Sequence, residues 1–232
     1  MLKVNDLAVS YGATPVLSGV SLAVDSGEIV AVIGRNAVGK TTLLKAIMGL
    51  LPTRSGTISL NAEDLTSLPA YHRARRGLGY VPQGRMIFAD LTVHENLLIG
   101  ADLDRKAGNN RIEAVLHEFP RLGERLRQLG GTLSVGEQQM LALGRTLVGD
   151  PKVLLLDEPT AGIQPSVVAE IEDLLRAVNA QRGLPMILVE HNVEMVAALS
   201  SRVYVMDKGN IVAEIEPGQV QDESIVRAYL AI

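Results

Sequence analysis

The sequence contains no cysteine, which excludes disulfide bridges and thiolate metal sites and fits a reducing cytoplasm. It also has no long apolar run, because the longest, such as residues 29–33 and 153–156, fall far short of the roughly 20 residues that span a bilayer. No apolar run follows a basic N-terminus, so no signal peptide is predicted. The sequence therefore predicts a soluble chain, and another chain must supply any membrane-spanning helices.

Positive charge is also scarce, since 22 Lys and Arg residues stand against 26 Asp and Glu residues and leave a net charge of −4. Nucleic-acid binding is not expected, because it requires clustered positive charge. We find no internal repeat, no low-complexity tract and no obvious linker. With 232 residues, 47% of them hydrophobic, the chain has the size of one α/β domain with a smaller appended lobe.

Two patterns of apolar residues predict the strands. Residues 2–9 and 16–24 alternate between apolar and polar side chains, which predicts strands at an antiparallel edge. Residues 28–33 instead form a continuous β-branched run, as in a strand that is buried on both faces. Shorter runs predict further strands at residues 56–60, 78–81, 153–156, 186–189 and 203–206.

The helices are predicted from apolar residues at helical spacing. This spacing replaces strand patterns between residues 83 and 132, which predicts a helical insert at about residues 84–150. Elsewhere, strands and helices alternate, as in a mainly parallel sheet covered by helices. We therefore predict an α/β fold in one domain over residues 1–232, with an N-terminal antiparallel β subdomain and an inserted helical subdomain. The other predicted helices cover residues 42–50, 165–181, 192–199 and 224–230.

Residues 34–41, GRNAVGKT, match the phosphate-binding P-loop pattern GxxxxGK[ST]. A predicted buried strand precedes them and a helix follows, so a glycine-rich turn without a ligand is the weaker interpretation. Backbone N–H groups and the helix N-terminus would hold phosphate, Lys40 would reach the β- and γ-phosphates, and Thr41 would bind Mg²⁺. The predicted nucleotide-binding residues here are Gly34, Arg35, Asn36, Ala37, Val38, Gly39, Lys40, Thr41 and Thr42.

Two adjacent carboxylates, Asp157 and Glu158, follow the predicted strand at residues 153–156. Such a pair is unusual at the end of a buried strand, because an unpaired buried charge is costly. Asp157 would hold Mg²⁺ through water, and Glu158 would orient or deprotonate the water that attacks phosphorus. A solvated loop start remains the alternative for either residue alone. Together with the P-loop, the pair predicts a P-loop NTPase.

Further motifs resemble those of the ABC ATPases. Residues 133–139, LSVGEQQ, closely resemble the family signature LSGGQ. Gln83 resembles the Q-loop glutamine, His191 the switch histidine, and Tyr11 the aromatic residue that stacks on adenine. The motifs stand in the family's order, and the resemblance covers essentially the whole chain. It identifies the chain as similar to the ATP-binding subunit of an ABC transporter.

Each minor motif also has an ordinary interpretation. A single tyrosine near the N-terminus is usually a packing residue, and a single glutamine or histidine is usually a solvated or hydrogen-bonded one. Only their order relative to the P-loop favours functional roles for Tyr11, Gln83 and His191. The remaining histidines are interpreted as ordinary residues; they are His72, His94 and His117.

The resemblance implies a mechanism in which two ATPase subunits, identical or paralogous, pair head to tail with ATP between them. The P-loop of each subunit would face the signature of the other, through Ser134, Val135, Gly136 and Glu137. Ser134 is also expected to be the N-cap of the helix that runs through residues 140–147. A helix N-terminus aimed at a γ-phosphate offers N–H donors and a favourable dipole.

The resemblance also implies catalytic roles and partners. Gln83 and His191 would act with Glu158 in hydrolysis, and Gln83 would bind Mg²⁺ together with Thr41 and Asp157. Integral membrane permease subunits would be direct partners and a solute-binding protein an indirect one. The chain would then sit in the cytoplasm, peripherally on the inner face of the cell membrane.

Two residues depart from the family pattern, which usually has glycine at the positions of Ala37 and Val135. Ala37 requires a negative φ or costs about 1–2 kcal/mol in the left-handed region. Val135 restricts the backbone and adds bulk where a nucleotide must approach. We therefore expect slower hydrolysis or weaker dimer closure, with ATP binding retained.

The stretch at residues 157–166, DEPTAGIQPS, resembles importers of branched-chain amino acids and urea. Many other ABC ATPases have aspartate near Gln164, in a loop that contacts the partner subunit. We therefore expect import of a small polar solute such as urea, a short amide or a branched-chain amino acid. The alternatives are a weakly hydrolysing dimerisation module, a lipid or lipopolysaccharide exporter and, least favoured, a non-transport ABC protein acting on DNA or ribosomes.

Overall fold

The computed structural model describes residues 1–101 and 108–222. In chain order, its strands are β1 (Leu2–Tyr11), β2 (Thr14–Val24), β3 (Ile29–Ile33), β4 (Ser55–Leu60), β5 (Glu63–Asp64), β6 (Leu78–Val81), β7 (Val153–Asp157), β8 (Met186–Val189), β9 (Arg202–Asp207) and β10 (Asn210–Ile215). Its helices are α1 (Lys40–Met48), α2 (Ala70–Arg76), α3 (Val93–Ala101), α4 (Gly108–Glu118), α5 (Pro120–Gly123), α6 (Val135–Val148), α7 (Pro165–Arg182) and α8 (Val193–Leu199).

The strands form two sheets. A four-stranded antiparallel sheet has the order β2-β1-β4-β5, and a six-stranded sheet has the order β10-β9-β3-β8-β7-β6. In the larger sheet the five strands from β9 to β6 are parallel, and β10 runs antiparallel to β9. These two sheets confirm the predicted α/β fold with a mainly parallel sheet and an N-terminal antiparallel subdomain.

The larger sheet is buried on both faces. Successive residues of its central strands point to opposite sides, and all residues of β3, β7 and β8 are buried. Leu155 and Ile187 pack with α1 against the antiparallel sheet. Leu154 and Leu188 pack on the other face with α6, α7 and the helices between residues 93 and 123. This double burial explains why β3, β7 and β8 are continuous apolar runs in the sequence. Among residues 1–101 and 108–222, no helix could cross a membrane.

Some predicted elements differ from the structure. β1 lies between β2 and β4, so only β2 of the first two strands is at a sheet edge. The sequence patterns missed α2, a polar segment of which only Arg73 is buried, and β10, which has no buried residue. The helix predicted at residues 224–230 lies outside the described residues. Helices α3 to α6 fall within the predicted helical insert, whose limits remain a prediction.

Arg73 explains how the short polar helix α2 is held against α1. Its guanidinium is buried, and Nη1 donates hydrogen bonds to the carbonyl oxygens of Ala46 and Ile47 at 2.8 and 2.7 Å. Nε donates to Leu68 O and Nη2 to Thr66 O, both at 2.8 Å. Because the last carbonyl groups of a helix have no partner within it, Arg73 completes the C-terminus of α1.

We expect Arg73→Met to lower the free energy of unfolding by about 3 kcal/mol, because it removes a buried side-chain donor to four carbonyl groups, of which, among the described residues, Ala46 O alone keeps a backbone donor, Gly49 N. The measurement is urea denaturation of the full chain. Arg75→Met is the matched control, since Arg75 lies on the same helix and is exposed. Equal denaturation midpoints for the two variants would contradict this role of Arg73.

Candidate active site

The candidate site lies at the carboxyl ends of three neighbouring parallel strands, β3, β8 and β7. The P-loop joins β3 to α1, Asp157 is the last residue of β7, and His191 follows β8 by two positions. Ligands of open α/β sheets bind at this end of the strands. The topology therefore places the predicted P-loop, carboxylates and histidine at one edge of the sheet.

The P-loop adopts a conformation that depends on glycine and on a buried lysine. Gly34 has φ 152°, and a Cβ at this position would lie 2.2 Å from the carbonyl oxygen of Met206. Lys40 is buried, and its Nζ donates to Gly34 O and Arg35 O at 2.8 Å each. Burial lowers the pKa of Lys40, against the opposing charges of nearby carboxylates. The lysine thus stabilises the start of the loop through hydrogen bonds to its carbonyl groups.

Ala37 has a φ of 63°, which lies in the left-handed region and not at the negative φ that alanine prefers. A residue with a Cβ in the left-handed region costs about 1–2 kcal/mol. The departure from glycine therefore adds strain to the P-loop. Val16 of β2 and Asn36 help to line a cavity of about 260 Å³ that also reaches Lys40 and Glu158.

Asp157 holds a hydroxyl from the P-loop helix. Thr41 Oγ1 donates to Asp157 Oδ1 at 3.0 Å, and the Tyr80 hydroxyl donates to Oδ2 at 3.1 Å. Burial raises the pKa of Asp157, and these two hydrogen bonds oppose the rise. Burial and the Asp157 charge likewise raise the pKa of Tyr80. A hydroxyl and a carboxylate at this distance are the protein ligands that Mg²⁺ takes beside substrate phosphates.

Glu158 joins the two remaining predicted catalytic side chains. Gln83 Nε2 donates to Glu158 Oε2 at 2.7 Å, and His191 Nε2 lies 3.1 Å from Oε1. Glu158 itself has a φ of 48°, a strained conformation for a residue with a side chain. The structure therefore brings Gln83, Glu158 and His191 together beside the P-loop.

The signature residues begin α6 and are bonded to one another. Glu137 N donates to Ser134 Oγ at 3.4 Å, while Ser134 N donates to Glu137 Oε2 at 2.9 Å. This capping box confirms Ser134 as the N-cap. Gly136 is required by close packing, since a Cβ there would lie 2.4 Å from Val167 Cγ1. Val135 is exposed, which leaves its side chain available to a partner.

Tyr11 and the signature residues are not among the residues that line the cavity at the P-loop. Tyr11 ends β1 with about half of its surface exposed. Its contact with adenine and the signature's contact with nucleotide both remain predictions. Sequence patterns did not predict that Val16, Tyr80 and Glu190 belong to the site or its surroundings. Their positions depend on strand neighbours that no local motif reveals.

The family model described as ABC transporter matches residues 17–161. BraG of Pseudomonas aeruginosa, a high-affinity branched-chain amino acid transport ATP-binding protein, is 41% identical over 213 residues, which cover 91% of each chain. LptB of Haemophilus influenzae, a lipopolysaccharide export system ATP-binding protein, is 38% identical over 99% of this chain and 97% of its own. LivF of Archaeoglobus fulgidus, a probable branched-chain amino acid transport ATP-binding protein, is 39% identical over 91% of this chain and 90% of its own.

Solved structures agree with these relatives. A nucleotide-free ATP-binding cassette from an ABC transporter superposes with a TM-score of 0.88 at 25% identity, covering 97% of each chain. The ADP conformation of another ATP-binding cassette of an ABC transporter gives 0.88 at 26% identity, covering 98% of this chain and 97% of its own. On its sequence, its fold and the geometry at its strand ends, the chain belongs to the ABC transporter family as an ATP-binding subunit.

Proposed function

We propose that this chain hydrolyses ATP with Mg²⁺ and thereby energises the import of a small polar solute through a membrane permease. The observation that carries hydrolysis is the arrangement of Glu158, whose carboxylate meets both Gln83 and His191 next to the P-loop. A P-loop alone would support nucleotide binding. A carboxylate held by two polar side chains beside it adds the group that phosphoryl transfer to water requires.

The residues suit a bound Mg²⁺, since Thr41 Oγ1 and Asp157 Oδ1 lie 3.0 Å apart at the end of the P-loop. Thr41, Asp157 and the amide oxygen of Gln83 would hold the ion. When bound, Mg²⁺ neutralises charge on the β- and γ-phosphates and helps to orient them. Lys40 would move from its loop carbonyl partners to the same phosphates, and the N–H groups at the start of α1 would bind phosphate oxygens.

Glu158 would orient the attacking water and accept its proton. Gln83 and His191 hold the two oxygens of this carboxylate in the structure, so its direction is set before any water binds. Positioning and electrostatic stabilisation account for most of the rate enhancement in phosphoryl transfer. The chain therefore needs no covalent intermediate.

We propose further that two ATPase subunits pair head to tail and dock on membrane permease subunits at the cytoplasmic face of the membrane. The capped N-terminus of α6, with Val135 exposed beside Ser134, is the surface that would reach the partner's nucleotide. N–H groups and helix dipole at this terminus favour an anion. Loss of the γ-phosphate would then weaken the pair.

Import of amino acids or related small solutes is supported by the similarity to BraG and LivF. Lipopolysaccharide export is the second candidate, because the similarity to LptB extends over 99% of this chain.

The experiment that separates the two candidates is to purify the chain with its co-expressed membrane partner and reconstitute the complex in vesicles. ATP-driven uptake of labelled leucine or urea supports import. ATP-driven release of lipopolysaccharide from the vesicles, without solute uptake, would instead identify an exporter.

We expect Val135→Gly to raise the ATPase rate severalfold, because the branched side chain stands exposed at the first position of α6 and narrows the allowed backbone region. Glycine in the first turn of a helix costs up to about 1 kcal/mol, so a slightly lower melting temperature is also expected. Turnover and thermal melting are measured on the full chain, with and without its membrane partner.

A glycine variant that binds ATP normally, melts near wild type and hydrolyses no faster would show that Val135 is tolerated in place. Negligible turnover by the wild-type chain, with its membrane partner present, would favour the alternative of a weakly hydrolysing dimerisation module. Val212→Gly is a suitable control for the loss of an exposed valine, since Val212 is equally exposed on β10.

A further inference from the structure

Glu190 is a buried carboxylate immediately after β8, with 3% of its surface exposed. Its Oε2 accepts hydrogen bonds from Thr160 Oγ1 at 2.6 Å and Thr160 N at 3.2 Å. Its Oε1 accepts from His191 N at 2.7 Å and from Asn192 N at 3.2 Å. A buried carboxylate is costly unless it is hydrogen-bonded, and four donors satisfy this one.

The two oxygens of Glu190 serve two different segments of the chain. Thr160 belongs to the turn that follows β7, whereas His191 and Asn192 follow β8. The same two segments carry the side chains that meet at the candidate site, because Glu158 lies two residues before Thr160. The four hydrogen bonds of Glu190, which we call the Glu190 bridge, therefore link the turn after β7 to the segment after β8. Glu158 and His191, whose side chains lie 3.1 Å apart, belong to these two segments.

The Glu190 bridge also helps to hold the turn in which the backbone of Glu158 is strained. Its φ of 48° persists only where the surrounding structure holds it. Ala161 N donates to Glu158 O at 3.1 Å, and Ile163 N donates to Thr160 O at 3.1 Å. Thr160 thus sits inside the turn that Glu158 begins, and Glu190 holds Thr160 by both its backbone N–H and its hydroxyl.

We propose that Glu190 is a positioning residue for ATP hydrolysis, which fixes the turn after β7 and the segment after β8 so that Glu158 and His191 keep their mutual geometry. This inference rests on the proposed hydrolysis. Glu190 touches neither nucleotide nor water in this role and acts through its two neighbours. Misplacing a catalytic group by about 1 Å can cost on the order of 100-fold in rate, so loss of the bridge has a measurable effect on turnover.

The test is the variant Glu190→Gln, which keeps the size of the side chain but replaces one acceptor oxygen by an NH₂ group. Whichever way the amide turns, one of the two segments faces a donor instead of an acceptor. We expect kcat to fall by about 10-fold while KM for ATP changes by less than about twofold, as for lost positioning rather than lost binding. ADP affinity, measured by calorimetry, should likewise stay within about twofold.

A second variant, Thr160→Val, keeps the β-branched shape and removes only the hydroxyl at 2.6 Å. It should lower kcat in the same direction but less, and the double variant should be no slower than Glu190→Gln alone, because both changes break one bridge. Glu194→Gln is the matched control, since Glu194 is an exposed carboxylate that lines the same cleft as Glu190 and His191. It should leave kcat unchanged.

Wild-type kcat in both Glu190→Gln and Thr160→Val would overturn the inference and leave the proposed hydrolysis intact. So would a lowered melting temperature in both variants with kcat unchanged per folded molecule, since that pattern indicates a purely structural bond. A wild-type chain without turnover in its membrane complex would instead overturn the proposed function, and the positioning role with it.

Discussion

Glu158→Gln is expected to bind ATP normally and to hydrolyse it at least about 100-fold more slowly, because the amide cannot accept the proton of the attacking water. Glutamine has the size of glutamate and can still bond to Gln83 and His191, which lie 2.7 and 3.1 Å from the carboxylate oxygens. The geometry of the site should therefore survive while the base is lost. Turnover is measured by phosphate release and affinity by calorimetry.

With hydrolysis blocked, ATP should hold two chains together, so the variant should elute as a dimer on size exclusion with Mg²⁺ and ATP. Glu113→Gln, an exposed carboxylate on α4, controls for the loss of one negative charge. Hydrolysis by Glu158→Gln at the wild-type rate would contradict the assigned role. Elution as a monomer would count against ATP-driven pairing of the isolated chain, without bearing on the base.

Lys40→Ala is expected to weaken ATP binding by about 100-fold, since charge-assisted hydrogen bonds contribute up to about 3 kcal/mol and every 1.4 kcal/mol is tenfold in affinity. Lys40 is the first residue of α1, and its Nζ reaches back across the P-loop. The change therefore removes the charge that would face the β- and γ-phosphates. Calorimetric titration with ATP measures the loss.

A second change, Lys40→Met, separates charge from packing, because it keeps an unbranched side chain in the buried space and removes only the ammonium group. Both variants should lose affinity to a similar degree. Lys3→Ala, at an exposed position of β1, should bind ATP like the wild type. Unchanged affinity in Lys40→Ala and Lys40→Met would refute the assignment of residues 34–41 as the nucleotide cradle.

Sequence patterns predicted those parts of the fold in which consecutive residues show by their own hydrophobicity that they are buried. β3, β7 and β8 are buried on both faces, so each appears as an unbroken apolar run. α2 was missed because its contribution is made by Arg73, which acts through hydrogen bonds rather than apolar contact. β10 was missed because its residues are half-buried or exposed, so no clear apolar face marks it.

The residues of the candidate site likewise fall into those that a local motif marks and those that it does not. The P-loop could be proposed from the sequence because its pattern occupies eight consecutive residues. Gln83, Glu158 and His191 could be proposed because they follow an ordered set of motifs, and the structure places these three side chains together. Tyr80 was not predicted, since it reaches Asp157 only because β6 pairs with β7. Glu190 was not predicted because its more distant partner, Thr160, lies 30 residues away in the chain. Such contacts follow from strand order, which local patterns do not contain.

The strand order also has a consequence for how the protein is made. β8 lies between β3 and β7 in the sheet, although the ribosome synthesises it after both. A nascent chain that stops before Met186 already contains the P-loop and both carboxylates, but it lacks the strand that joins them. Until β8 emerges, the edges of β3 and β7 with which it pairs expose unpaired backbone N–H and C=O groups to non-native pairing. The candidate site therefore forms only after residues 186–189 have been synthesised, because β8 is the strand that joins β3 to β7.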